Sequence, residues 1–141
     1  MTKETRSLEE LEGHAWRQPA DRASGILRRC FAARKIPLDE LNDADLRLLI
    51  GQDIGLAFTV PLAIERLERD LLLKAEHYKG DLLTALLSAS PAFFRGEPSI
   101  VDRVRKMLGR VPSLLDNLDV VDYDTTSEAI EEAVAFFERG V

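Results

Sequence analysis

The chain has 141 residues, of which 45% are apolar and 31% charged, and its formal net charge is −6. This length suits one domain that buries roughly two-thirds of its unfolded surface, and the composition excludes disordered, collagen-like and fibrous proteins. No apolar run approaches the roughly 20 residues that span a bilayer. The N-terminus lacks the apolar segment of a signal peptide, and a single cysteine, Cys30, excludes an internal disulfide. We therefore expect a cytoplasmic protein with one domain over residues 1–141.

Helix start and stop signals dominate the first part of the chain. Ser7 and Glu10 form a capping box that predicts a short first helix. Ser24 is expected to cap a second helix, which must end before Pro37 because the residue before a proline is pushed out of the α region.

The next two helices are predicted from caps and from apolar spacing. Asn42 is expected to cap a third helix that stops near Gly55, and Thr59 a fourth, with Pro61 in its first turn. The fourth helix carries an apolar stripe at helical spacing, formed by Val60, Ile64, Leu67 and Leu71.

The second half of the chain continues with short elements. Residues 74–80 break the helical spacing of apolar residues and predict a loop. Asp81 is a candidate N-cap for a short apolar helix, and Ser99 is a candidate N-cap for the helix that follows it. Residues 118–123 are the one segment that suggests a strand, although they lack a pairing partner. A capping box at 125–128 predicts the final helix, whose inner face would be Ile130, Ala133, Val134 and Phe137. Together these elements predict an all-α, compact single domain of about seven to eight short helices.

The sequence contains few residue patterns that are typical of catalytic or metal-binding sites. The motifs of zinc proteases, thiol redox proteins and P-loop nucleotide-binding proteins are missing. His14 and His77 stand alone, and Cys30 lies on an apolar helix face that suits an inert core residue. We therefore predict no catalytic residue, no metal ligand and no cofactor, and we do not expect an enzyme.

The negative charge is concentrated at the C-terminal end. Residues 1–115 carry 18 Lys+Arg against 17 Asp+Glu, whereas residues 116–141 carry eight Asp+Glu and only Arg139. Such a patch favours a basic protein partner and argues against nucleic acid, although a solvated acidic tail has the same composition. The candidate binding residues are Asp116, Asp119, Asp122, Tyr123, Asp124, Glu128, Glu131 and Glu132. From the residues alone, a generic intracellular adaptor with an acidic helical face stays open.

A family resemblance narrows these alternatives. The segments that carry it are LEELE at 8–12, Trp16, ILRRC at 26–30, IPL at 36–38, DLRLLIGQDIGL at 45–56, VPLAI at 60–64 and YKGDLL at 78–83. In this order they resemble the immunity proteins of bacterial contact-dependent growth inhibition systems. The chain departs from the family where Lys79 replaces a frequent proline and where a tryptophan is often found near Phe94. Both positions look structural, and the segment after residue 95 matches weakly.

The resemblance implies a protein that binds the toxic C-terminal domain of a cognate surface-delivered effector and blocks it. Such toxins are frequently nucleases, often basic and active in the cytosol. The implied partner is therefore that toxin domain, bound by a monomer in a 1:1 heterodimer. The resemblance also assigns Arg47 and Gln52, on a helix expected to be buried, to the scaffold.

Overall fold

The computed structural model describes residues 4–141, and in that range the chain forms nine α-helices and one 3-10 helix. The α-helices are α1 (Leu8–Glu12), α2 (Gly25–Ala33), α3 (Asp43–Gly51), α4 (Leu56–Arg69), α5 (Asp81–Leu87), α6 (Pro91–Arg95), α7 (Pro98–Leu108), α8 (Val111–Asp116) and α9 (Val120–Gly140), and the 3-10 helix is Leu38–Glu40. The expected all-α class is confirmed. Among these residues, no helix has both the length and the apolarity needed to cross a bilayer.

Three of the predicted N-caps are present. The Ser7 hydroxyl accepts the amide proton of Glu10 at 3.2 Å, and the Glu10 carboxylate accepts that of Ser7 at 3.2 Å, which completes the capping box. Ser24 and Asn42 each accept the amide proton three residues further on. These bonds satisfy backbone donors that have no partner in the first turn of a helix.

The fourth helix begins earlier than predicted. Thr59 does not cap it, because Gly55 takes a left-handed conformation (φ +60°) and α4 starts immediately after it. The Thr59 hydroxyl instead donates to the Gly55 carbonyl at 3.1 Å. Pro61 therefore lies inside the helix and not in its first turn. The ring lacks the amide proton that would bond the Ala57 carbonyl, and Ala57 is an exposed residue of the helix.

The strand suggested over 118–123 is wrong, because α9 already begins at Val120. A strand needs a partner for its backbone groups, and residues 4–141 contain only isolated β-bridges elsewhere. The buried face of α9 extends towards its N-terminus beyond the predicted inner face. Thr126 is buried one turn before Ile130, and Val120 and Val121 stay 89% exposed.

The centre of the fold is α5, which packs against α3, α4 and α9. The leucine side chains of α5 belong to the larger of two apolar clusters. All four are fully buried there: Leu82, Leu83, Leu86 and Leu87. The smaller cluster joins α1, α2 and the 3-10 helix to α3, and Leu62 of α4 contacts both. The C-terminal helix α9 contacts α5, α6 and α8, and many of its remaining side chains are exposed.

Candidate functional site

The C-terminal helix is anchored along one side. Ile130, Ala133 and Phe137 are buried in the larger cluster, and the Phe137 ring meets that of Phe94 edge to face, with centroids 5.1 Å apart. Gly140 lies so close to α6 that a Cβ there would be 2.8 Å from a Pro91 side-chain carbon. These contacts fix which side of α9 faces solvent.

The loop before α5 provides a second anchor for α9. Gly80 has a φ of +89°, and a Cβ at this position would lie 3.2 Å from Ile130 and 3.3 Å from Thr126. The Thr126 hydroxyl donates to the Lys79 carbonyl at 2.9 Å. Glycine is thus required both by the left-handed backbone and by the close approach of α9.

Asp81 organises the same loop, although not as the helix cap that the sequence suggests. It is the first residue of α5 and fully buried. Its carboxylate accepts amide protons from Ala75 at 2.6 Å, Glu76 at 2.9 Å and His77 at 2.8 Å, and lies 3.6 Å from the Arg47 guanidinium. Burial raises the pKa of Asp81, but the amide hydrogen bonds outweigh it and leave the pKa below its ordinary value.

The predicted binding residues lie on α9, at its N-cap and at the end of α8. Asp124, Glu128 and Glu132 are exposed and spaced four residues apart, so they form one row along the helix. We call these three residues the outer acidic stripe. Among residues 4–141, none of the three lies at salt-bridge distance from a lysine, arginine or histidine.

The other predicted residues do not all join this stripe. Asp122 pairs with Lys79 at 3.3 Å, so its charge is partly compensated. Asp119 is exposed at the N-cap position of α9. Asp116, Tyr123 and Glu131 instead line a groove between α8 and α9. The structure thus divides the predicted set into a stripe, a paired carboxylate, an exposed N-cap residue and a groove rim.

That groove, which we call the α8–α9 groove, has a volume of about 520 Å³. Its floor and walls are mostly apolar and include Leu115, Val134 and the Tyr123 ring, which is 43% exposed. The exposed carboxylates of Asp116 and Glu131 stand among these apolar groups. The sequence places Val134 on an inner face, and only the packing of α8 on α9 shows that it also borders solvent.

On the other side of α9 lies a wider groove of about 880 Å³, between α3, α5 and α9. Arg47, Gln52, Glu132, Phe136 and Arg139 line it, so charges of both signs are present. The expectation of a buried Gln52 is wrong, since its side chain is exposed after the end of α3. Arg47 is partly exposed. Its guanidinium pairs with the Asp81 carboxylate, and its side chain also lines this groove.

From the sequence, we expect metal-binding side chains and the single thiol to play no part in a site. Within residues 4–141, no set of three or more His, Cys, Asp or Glu side chains is arranged to hold a metal ion. Cys30 is buried, and burial raises the pKa of its thiol, which disfavours the nucleophilic thiolate. The exposed surface of α9 presents carboxylates and borders both grooves.

A comparison with protein families gives a match over most of this scaffold. The family described as CDI immunity proteins, where CDI stands for contact-dependent growth inhibition, matches residues 10–104. The match runs from α1 through most of α7 and stops before α8 and α9. No curated protein and no solved structure shows a significant match. Because the matched segment covers about two-thirds of the sequence, the chain belongs to the family of CDI immunity proteins.

Proposed function

We propose that this immunity protein neutralises a basic nuclease toxin by laying the acidic surface of α9 over the toxin's nucleic-acid-binding surface. Membership of the family establishes immunity against a CDI toxin, in place of a generic adaptor role. The observation that carries the finer proposal is the outer acidic stripe, three exposed carboxylates that form no salt bridge within residues 4–141.

The stripe is electrostatically unfavourable for the isolated chain. Asp124 and Glu128, and Glu128 and Glu132, are like-charge pairs four residues apart, and each such pair costs a few tenths of a kcal/mol. A cationic surface laid over the stripe relieves this repulsion. It also attracts the immunity protein during diffusion, and steering of this kind raises association rates by roughly 10- to 1,000-fold at low salt.

Inhibition then needs no chemistry by the immunity protein. A nuclease binds the phosphate backbone through lysine and arginine, and the carboxylates of α9 would occupy the same groups. One immunity protein per toxin domain is sufficient for this, and the complex would form in the cytoplasm, where such a toxin finds its substrate. Inhibition is therefore competitive with nucleic acid.

The first test is growth of cells that express the toxin domain encoded directly upstream of this chain. Wild-type immunity protein is expected to restore growth and to form a 1:1 complex with the toxin domain. A labelled oligonucleotide should be displaced from a catalytically inactive toxin by the immunity protein. A stable ternary complex of toxin, oligonucleotide and immunity protein would contradict occlusion.

The second test reverses the charge of the stripe with Asp124→Lys, Glu128→Lys and Glu132→Lys together. The control combines Glu65→Lys, Asp70→Lys and Asp102→Lys, which are also exposed and outside ion pairs in residues 4–141 and change the net charge equally. We expect the stripe variant to lose at least tenfold in association rate at low salt and most of its salt dependence. Equal losses in both variants, or none in the stripe variant, would refute a role for the stripe.

A further inference from the structure

The α8–α9 groove combines an apolar interior with an anionic rim. Leu115, Val134 and Tyr123 supply apolar surface, and Asp116 and Glu131 supply carboxylates that lie outside ion pairs within residues 4–141. Its volume of about 520 Å³ is ample for one large side chain with its neighbours. From this pairing of surfaces we infer that the groove receives a toxin segment with an apolar or aromatic side chain flanked by lysine or arginine.

Burial explains why the apolar part of the groove would anchor a partner. Tight interfaces depend on a few apolar or aromatic groups that are fully desolvated near their centre. Tyr123 lines the groove while 43% of the residue is exposed, so a partner can bury more of it without repacking the core. Val120, 89% exposed, lies one turn before Tyr123 on the same helix and adds exposed apolar surface beside it.

Charge decides between a toxin segment and a second copy of this chain. The groove rim carries two carboxylates, and the outer acidic stripe lies along the same helix. A second copy would bring α9 against an α9 that is equally acidic, and like charges placed across an interface oppose association. A cationic segment meets the same rim with attraction, so the toxin is the complementary occupant.

This inference rests on the proposed function and assigns different roles to different residues. The outer acidic stripe speeds association, whereas the groove holds the complex together once it has formed. Substitutions in the groove interior should therefore act on dissociation, and substitutions of the rim carboxylates should act on association and its salt dependence.

The test measures binding kinetics to the toxin domain encoded upstream for four variants of the full chain. Tyr123→Ala removes the partly exposed ring, and Ala135→Phe places a bulky ring at an exposed α9 position that borders this groove and the wider one. We expect each to raise the dissociation rate about 30-fold or more and to leave the salt dependence unchanged. Asp116→Asn with Glu131→Gln should lower the association rate several-fold and reduce its salt dependence. Val121→Ser is the control, an exposed apolar residue outside the groove, with an expected change of less than twofold.

The outcomes separate this inference from the proposed function. Wild-type dissociation rates for both Tyr123→Ala and Ala135→Phe overturn the groove assignment, even where charge reversal of the stripe still weakens binding. Tighter binding after neutralisation of Asp116 and Glu131 overturns the cationic occupant. If the chain alone forms a dimer and Ala135→Phe dissociates that dimer, the occupant of the groove is a second copy. That result would also overturn the assignment to a toxin segment. Since Tyr123 is 43% exposed and outside the buried core, its variant reports on binding even if Ala135→Phe fails to fold.

Discussion

Replacement of Asp81 by asparagine should destabilise the protein by about 3 kcal/mol. The two carboxylate oxygens accept three amide protons from the preceding loop, one on Oδ1 and two on Oδ2. Asparagine keeps one acceptor oxygen, so it preserves two of these bonds at most and turns its NH2 group towards a backbone donor. Hydrogen bonds to a charged group contribute about 1.5–3 kcal/mol each, and an unsatisfied buried donor adds to the loss.

The same substitution should remove part of the acid sensitivity of the fold. The pKa of Asp81 is lowered in the folded state, so its stabilising contribution is complete above the unfolded value near 3.9 and is lost as the pH falls through the lower folded value. The stability gap between wild type and Asp81→Asn should therefore be constant from about pH 7 to pH 5. The gap should narrow below about pH 4, where the carboxyl of the unfolded wild type takes up its proton first, and it should close as the pH falls through the lower folded pKa.

Urea denaturation followed by far-UV circular dichroism at several pH values measures both effects. The control is Asp102→Asn, an exposed carboxylate of α7 outside any ion pair in residues 4–141, whose replacement should change stability by less than about 0.5 kcal/mol. A loss below about 1 kcal/mol for Asp81→Asn at pH 7, or a gap that persists unchanged at pH 3, would refute the role given to this carboxylate.

Three further substitutions test other contacts of the scaffold. Gly80→Ala should cost about 2 kcal/mol because it places a Cβ at a φ of +89°, whereas Gly96→Ala, at a negative φ, should be nearly neutral in the same denaturation assay. Arg34→Ala should cost about 3 kcal/mol and shift the Trp16 fluorescence to longer wavelength, because the buried guanidinium lies 4.5 Å from the ring centroid; an unchanged spectrum would contradict that packing. Thr126→Val should cost about 1 kcal/mol through loss of one hydrogen bond, and a gain in stability would argue that this bond contributes nothing.

Local signals explain why much of the fold could be predicted from the sequence. The caps at Ser7, Ser24 and Asn42 depend on bonds over three residues, which a linear reading captures. The start of α4 at Leu56 and the role of Asp81 depend on contacts that a linear reading does not contain. In the sequence, Asp81 after Gly80 resembles a helix cap. Only the folded structure shows that its carboxylate accepts amide protons from the loop before it.

The candidate site shows the same division. The sequence singles out Tyr123 as a candidate binding residue, and the structure places it at the α8–α9 groove. It could not show that Asp122 meets Lys79, because those residues are 43 positions apart in the chain. The grooves themselves arise from the packing of helices that are separate in the sequence. A pattern of neighbouring residues therefore does not predict them.

The one-sided attachment of α9 has a consequence for how such proteins diversify. Its exposed positions contribute little to folding, and surface substitutions of this kind usually shift stability by no more than about 0.5 kcal/mol. Under the proposed function, the recognition surface can therefore change on this helix while the interior remains intact. The same architecture could then serve immunity proteins with different toxin specificities, which differ only in their exposed α9 side chains.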